Sequence, residues 1–161
     1  MKPYINTIFF SILLLLPLSS VLGQDYTQPQ KLAKTTADVT PPQYFEAATQ
    51  FQGYIHTGTS STILLQELAG TSYLLIKRGM TPDYFAQEGF KYISEEEVVT
   101  NTGLKGILYR MGFTVQETEF ERLMLFTGDY HRTFWLIANY PTMVSEQMYP
   151  EMKKSLLTLK P

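Results

Sequence analysis

Two stretches near the end of the chain constrain its fold more than anything else in it. Residues 117 to 127, "ETEFERLMLFT", and residues 131 to 140, "HRTFWLIANY", have the length and β-branched or aromatic content of strands. In both, the two alternating sets of side chains are largely apolar: Phe134, Leu136 and Ala138 oppose Trp135 and Ile137. A strand that is apolar on both faces must be covered on both faces. The chain is therefore expected to supply helices for either side of one sheet.

The other elements agree with that demand. Residues 51 to 57, "FQGYIHT", alternate, and 62 to 68, "TILLQEL", form a second short strand; "GTSS" between them has turn chemistry, which predicts a β-hairpin. Gly53, Gly58 and Ser60 also carry the spacing of a phosphate-binding P-loop. Thr59 stands where that motif needs lysine, and the loop leads into a strand rather than a helix N-terminus, so the match is discarded. Two short helices follow. Ser72 caps "YLLIKR", with Gly79 as a left-handed terminator. Thr81 caps the second, Pro82 takes its first position, Asp83 lies at its positive end and Gly89 closes it. From residue 92 the pattern is an antiparallel meander: "YISEEEVVT" (92 to 100), the turn "NTG", "LKGILYRMGFT" (104 to 114) with Ile107, Tyr109, Met111 and Phe113 on one face, and then the two strands above. A last helix within Thr142 to Leu159 carries the stripe Val144, Met148, Met152, Leu156 and Leu159, with Pro150 as a kink or restart. Its methionines are read as core.

The beginning of the chain is of another kind. Lys2, the apolar run "IFFSILLLLPL" (8 to 18) and the small residues Val21 and Gly23 make residues 1 to 23 a secretory signal peptide by pattern. That run is shorter than the ~20 residues a membrane-spanning helix needs. Residues 24 to 40 are polar and read as a flexible linker, and the folded domain is expected over 41 to 160. An exported protein without an integral membrane segment in its mature form follows. The chain has no cysteine, so neither a disulfide nor a lipid-modified cysteine is available to it. Without residues 1 to 23 it carries 12 basic and 15 acidic groups, a net −3, which argues against nucleic acid as a partner. A monomer is expected.

Three constellations bear on chemistry. His131 and Asp129 in "GDYHR" could act with Ser60 or Ser61 as a hydrolase, yet no nucleophile elbow is present and Asp129 suits a turn. Glu95 and Glu97 share one strand face and could hold a hard cation, but an acidic run on an edge strand more often serves solvation and blocks edge pairing. "GLKG" (103 to 106) imitates an RNA-binding loop but joins strands, not helices. Aromatic and charged residues in exposed positions are left as contact candidates: Glu95, Glu96 and Glu97, Tyr54, and Tyr130, His131 and Arg132 of "YHRTFW". No catalytic residue, metal or cofactor is assigned.

With the phrases "FQGYIHTGTSSTILLQEL", "TPDYFAQEGF", "EEEVVTNTGLKGILYRMGF", "LMLFTGDYHRTFWLIANYP" and "MKKSLLTL", the order of elements resembles the PsbP-like superfamily of small exported proteins, which includes DcrB-like periplasmic members. The resemblance spans roughly residues 41 to 160. It implies an α+β fold, an α/β/α sandwich in which one antiparallel sheet is covered by short helices and a C-terminal helix. It implies no shared active site, so no residue role is carried across, and nothing here looks like a thylakoid transit sequence. The function expected is that of a non-enzymatic binding or accessory protein with a protein partner. The alternatives are the hydrolase and a carrier of a small apolar ligand, the latter needing a cavity of about 300 Å3 beneath the C-terminal helix.

Overall fold

The computed structural model describes residues 35 to 161; the signal-peptide reading and most of the linker reading lie outside them. Seven strands form one antiparallel sheet: β1 (Glu46–Ala47), β2 (Gly53–His56), β3 (Ser61–Ala69), β4 (Lys91–Val99), β5 (Lys105–Val115), β6 (Thr118–Gly128) and β7 (Arg132–Pro141). Their order is β1-β2-β3-β7-β6-β5-β4. The meander β4 to β7 thus folds back so that β7 pairs with β3, from Thr62 opposite Asn139 to Ala69 opposite Arg132. Between β3 and β4 run α1 (Tyr73–Gly79) and α2 (Pro82–Gln87); α3 (Ser145–Leu157) follows a single 3-10 turn, Thr142–Val144.

The two-sided apolarity of the last strands is met as the sequence requires. Phe134, Leu136, Ala138 and Tyr140 of β7 join Leu123 and Leu125 of β6 on one face, where Met152, Leu156 and Leu159 cover them. Trp135 and Ile137 join Met124, Phe126, Ile107, Tyr109 and Met111 on the other, under Phe85 of α2 and Tyr73 and Ile76 of α1. The molecule is an α/β/α sandwich. Each large apolar side chain so buried stabilises it by about 1.5 to 3 kcal/mol.

The caps read from sequence are present. Ser72 Oγ accepts from the Leu74 amide, and Thr81 Oγ1 accepts from the Tyr84 amide. Gly89 has φ +82°, the left-handed conformation expected of it. Gly79 does not terminate its helix in that conformation. It lies inside α1, and the chain turns out at Met80. Pro82 sets the outer limit: it forces Thr81 into an extended conformation, φ −101° and ψ 159°, so the helix must end before it. Pro150 neither breaks nor restarts α3, which runs through it and forgoes one backbone hydrogen bond.

The domain begins earlier than Pro41. Ala37 and Val39 are buried, and Asp38 exchanges backbone hydrogen bonds of 2.9 and 2.8 Å with Lys160. Thr40 N–H donates to Thr158 Oγ1, and Ser155 Oγ donates to the Thr40 carbonyl. This stretch has no hydrophobic period because it pairs with the chain end instead of forming an element.

Two buried tyrosines give opposite expectations for the same substitution. Tyr140 donates its hydroxyl to Glu121 Oε2 at 2.9 Å, whereas the Tyr109 hydroxyl is sealed without a partner. Tyr140→Phe is expected to cost about 1.5 to 3 kcal/mol, and Tyr109→Phe to be neutral or stabilising by up to about 1 kcal/mol. Urea unfolding of both variants checks this; equal losses would contradict the assignment.

Candidate functional site

One end of the sheet collects the turn between β6 and β7, the N-terminal turn of α1, and the ends of β4 and β5. The strand register dictates it: Gly128 opposes Thr133 and Gly106 opposes Thr127. Thr133 Oγ1 donates to the Thr71 carbonyl and the Gly70 amide to the His131 carbonyl, tying α1 to the hairpin. Asp129 builds the turn, its Oδ1 accepting from the amides of His131 (2.7 Å) and Arg132 (3.0 Å). Those two backbone bonds hold its carboxyl below the usual range. Arg132 folds back over the Phe134 ring at 4.7 Å and toward Glu67. Tyr130 projects outward, 78% exposed.

Sequence reasoning missed the apolar part of this surface. Leu75 is 59% exposed and Val99 58%, and Leu74 beside Leu75 is exposed as well. The clue lay in "YLLIKR": Tyr73 and Ile76, three apart, face the sheet, so the two leucines between them must face away. A groove of about 200 Å3 runs between α1 and the β4–β5 edge, lined by Leu74, Val99, Gly106 and Ile107 and bordered by the Lys77–Glu97 ion pair. It is too small to enclose a ligand of ordinary size. It also lies on the face opposite α3. Beneath α3 itself, Met152, Leu156 and Leu159 are fully buried, which favours packing over the carriage of a ligand there.

The acidic triplet is placed on the edge strand, as expected, and split across it. Glu96 faces α3, accepting from Lys153 Nζ at 2.7 Å and from the Tyr149 hydroxyl at 3.4 Å. Glu97 faces α1 and accepts from Lys77 Nζ at 2.7 Å, a bond that lowers its pKa and raises that of the lysine. Two of the three acids thus tether the covering helices. Glu95 remains on the exposed edge. Among the described residues no group of acids and histidines is arranged to hold a metal ion.

Tyr54 is not part of the hairpin surface. It opposes Ile63 on β3, six residues from Ala69, or roughly 20 Å along the strand. Its hydroxyl donates to Asp38 Oδ1 at 2.7 Å; burial, the Asp38 bond and the Asp38 charge push its pKa to about 12. Nor does the structure assemble His131 with Ser60 or Ser61. Ser61 begins β3 and Ala69, opposite Arg132, ends it, a separation of roughly 26 Å. Ser61 Oγ bonds Thr59 Oγ1, which bonds His56 Nδ1, and the Thr59 amide also donates to that nitrogen, closing a local turn.

A second polar constellation lies beneath the start of α3. Arg110 donates from Nε to Glu121 Oε2 at 2.8 Å and from Nη2 to Ser145 Oγ at 3.1 Å, under the Tyr149 ring at 4.2 Å. Burial pushes the Glu121 carboxyl up; bonds from Arg110, Tyr140 and Ser145, with the Arg110 charge, outweigh it and leave the group below its usual range. A carboxylate so depressed stabilises the fold above its unfolded pKa, and the contribution is lost as pH falls through the folded value. Arg110→Met is expected to destabilise by about 3 kcal/mol near neutral pH. The difference from wild type should shrink below about pH 4, as urea unfolding across pH 3 to 7 will show; a pH-independent difference would contradict the pairing.

The chain matches no family model and no curated protein. Solved structures are similar to it. LpqN, involved in cell envelope biogenesis of Mycobacterium tuberculosis, is 12% identical, with a TM-score of 0.52 over 78% of this chain and 84% of that one. PsbP (CyanoP) from Synechocystis sp. PCC 6803 is 9% identical, covering 77% and 81%, with a TM-score of 0.49. PA94 from Pseudomonas aeruginosa is 12% identical, covering 83% and 88%, with a TM-score of 0.48. At these identities the likeness concerns the fold alone: the α/β/α sandwich expected from the sequence is the architecture found, and LpqN has a similar one.

Proposed function

We propose that this chain is an exported, non-enzymatic accessory protein that engages a protein partner at the hairpin end of its sheet. Export rests on the signal-peptide pattern of residues 1 to 23. The observation that carries the partner reading is the groove at this end, lined by Leu74 and Val99 and too shallow to enclose a ligand, with Leu75 exposed in the first turn of α1 and Tyr130 exposed in the β6–β7 turn. β4 and β7 are three strand spacings apart, so the group spans roughly 15 Å, the scale of the core of a small interface. Exposed apolar and aromatic side chains rimmed by charge are what a partner surface needs. Lys77, Lys105 and Arg132 provide part of that rim. LpqN, which shares the fold, serves envelope biogenesis, and an accessory role outside the cytoplasm is in keeping with that.

The hairpin residues Tyr130, His131 and Arg132 belong to this proposed surface, and Glu97 borders it. Glu95 lies on the β4 edge beside it. Glu96 and Tyr54 belong elsewhere, since their polar atoms already bind within the chain.

Paired variants test the reading. Protein purified from cells expressing the full chain is cross-linked in those cells and its neighbours are identified by mass. Leu75→Glu with Tyr130→Ser is expected to reduce recovery of the main neighbour at least tenfold, about 1.4 kcal/mol of binding or more. Met143→Ser serves as the control, because Met143 is 89% exposed at the opposite end of the sheet. Loss with the control and retention with the double variant would move the surface to the other end.

A further inference from the structure

Among the described residues, Arg122 is a strongly buried cation outside the features described so far. It lies on β6 with its side chain on the α1–α2 face, in the row that holds Thr62, Asn139 and Met111. Only 8% of its surface is exposed. Its Nε donates to Asn139 Oδ1 at 2.7 Å, and the Asn139 amide nitrogen donates to Thr62 Oγ1 at 3.1 Å, so the amide is oriented to present its oxygen to the guanidinium. The guanidinium carbon stands 5.0 Å from the Phe90 ring centre and 4.9 Å from that of Phe113. Phe120 stacks on Phe113 from the other side, centres 5.5 Å apart.

Among the described residues this cation has no counter-charge. The ion pairs among the described residues join Lys77 to Glu97, Arg110 to Glu121, Arg132 to Glu67 and Lys153 to Glu96; none involves Arg122. Its terminal nitrogens have no acceptor among the described residues. They are not among the side-chain atoms sealed without a partner, so they still reach solvent. A guanidinium held this way offers a planar pair of donors in a poorly solvated setting, where an oxyanion is bound far more strongly than in water. The adjacent residue shows the contrast: Glu121 faces the other side of β6 and is fully paired.

We propose that Arg122, walled by Phe90 and Phe113 and steadied by Asn139, is a binding site for a carboxylate carried on an apolar or aromatic body. The planar fork of arginine fits a carboxylate in two parallel hydrogen bonds, and the partly exposed Phe113 and Phe120 beside it fit the apolar body. Burial lowers the Arg122 pKa to about 10, which leaves it charged at neutral pH and in need of an anion.

Protein from the full chain, labelled with 15N, is titrated with sodium benzoate while the Arg122 Nε–H signal is followed. A saturable shift with a Kd on the order of 1 mM or tighter is expected. Benzamide, the neutral analogue, should leave the signal in place, and inorganic phosphate should bind at least tenfold more weakly than benzoate. In Arg122→Met, whose dispersed spectrum confirms folding, benzoate binding should fall at least tenfold; in Arg122→Lys it should fall by a smaller factor. A short peptide ending in Phe with a free carboxylate, set against its C-terminal amide, separates the two sources of the group. Tighter binding of the free-carboxylate peptide than of benzoate assigns the site to a chain terminus, and the reverse assigns it to a small acid. No saturable shift with any carboxylate, equal binding by Arg122→Met, or phosphate binding as tightly as benzoate would overturn the proposal.

Discussion

The molecule depends on the burial of β6 and β7 from both sides. Leu123 and Leu125 with Phe134, Leu136 and Ala138 face one way, and Met124 and Phe126 with Trp135 and Ile137 face the other, all nearly without exposure. Strands of this kind cannot sit at the surface of an ordinary two-layer protein, so both faces of the sheet must carry helices. They also cannot be edges. The order β1-β2-β3-β7-β6-β5-β4 puts them near the middle and leaves the short β1 and the acidic β4 outside, which protects the sheet from pairing with other chains.

The two covers are unequal, and most of what is functionally suggestive follows from that. α3 has 13 residues and lies along its face for roughly 20 Å. α1 and α2 have seven and six residues and reach roughly 10 Å each. β6, at 11 residues, is about 36 Å long. The short helices therefore leave both ends of their face thinly covered. At the hairpin end this produces the groove beside α1 and the exposed Leu75 and Val99. Toward the other end lie Phe113, Phe120 and the guanidinium of Arg122.

Charges inside the central strands are handled differently on the two faces. Glu121 and Arg122 are neighbours, so the strand sends them to opposite sides. On the α3 side Glu121 meets Arg110, Tyr140 and the start of the helix, and its desolvation is offset by charged hydrogen bonds. On the thinly covered side Arg122 meets one neutral amide oxygen and two rings. The acids of β4 follow the same alternation, with Glu96 and Glu97 drawn to the helices on their respective sides.

Local rules in the sequence determined a good deal. The alternation of "FWLIANY" assigned each side chain of β7 to its layer, that of "ILYRMGF" did the same for β5, and Thr81, Pro82 and Gly89 bounded α2, because these signals depend only on neighbours within a few residues. Gly79 misled because the helix runs on through it and ends only at Met80, just ahead of the Thr81–Pro82 step. The tertiary structure alone decided that Ala37 and Val39 belong to the core, that Glu96 reaches Lys153, that Ser61 and His131 lie at opposite ends of β3, and that Leu74 and Val99 line one groove. Each of those facts requires the strand order and register. These are set by which apolar faces pack together across more than a hundred residues of chain, and no local spacing carries that information.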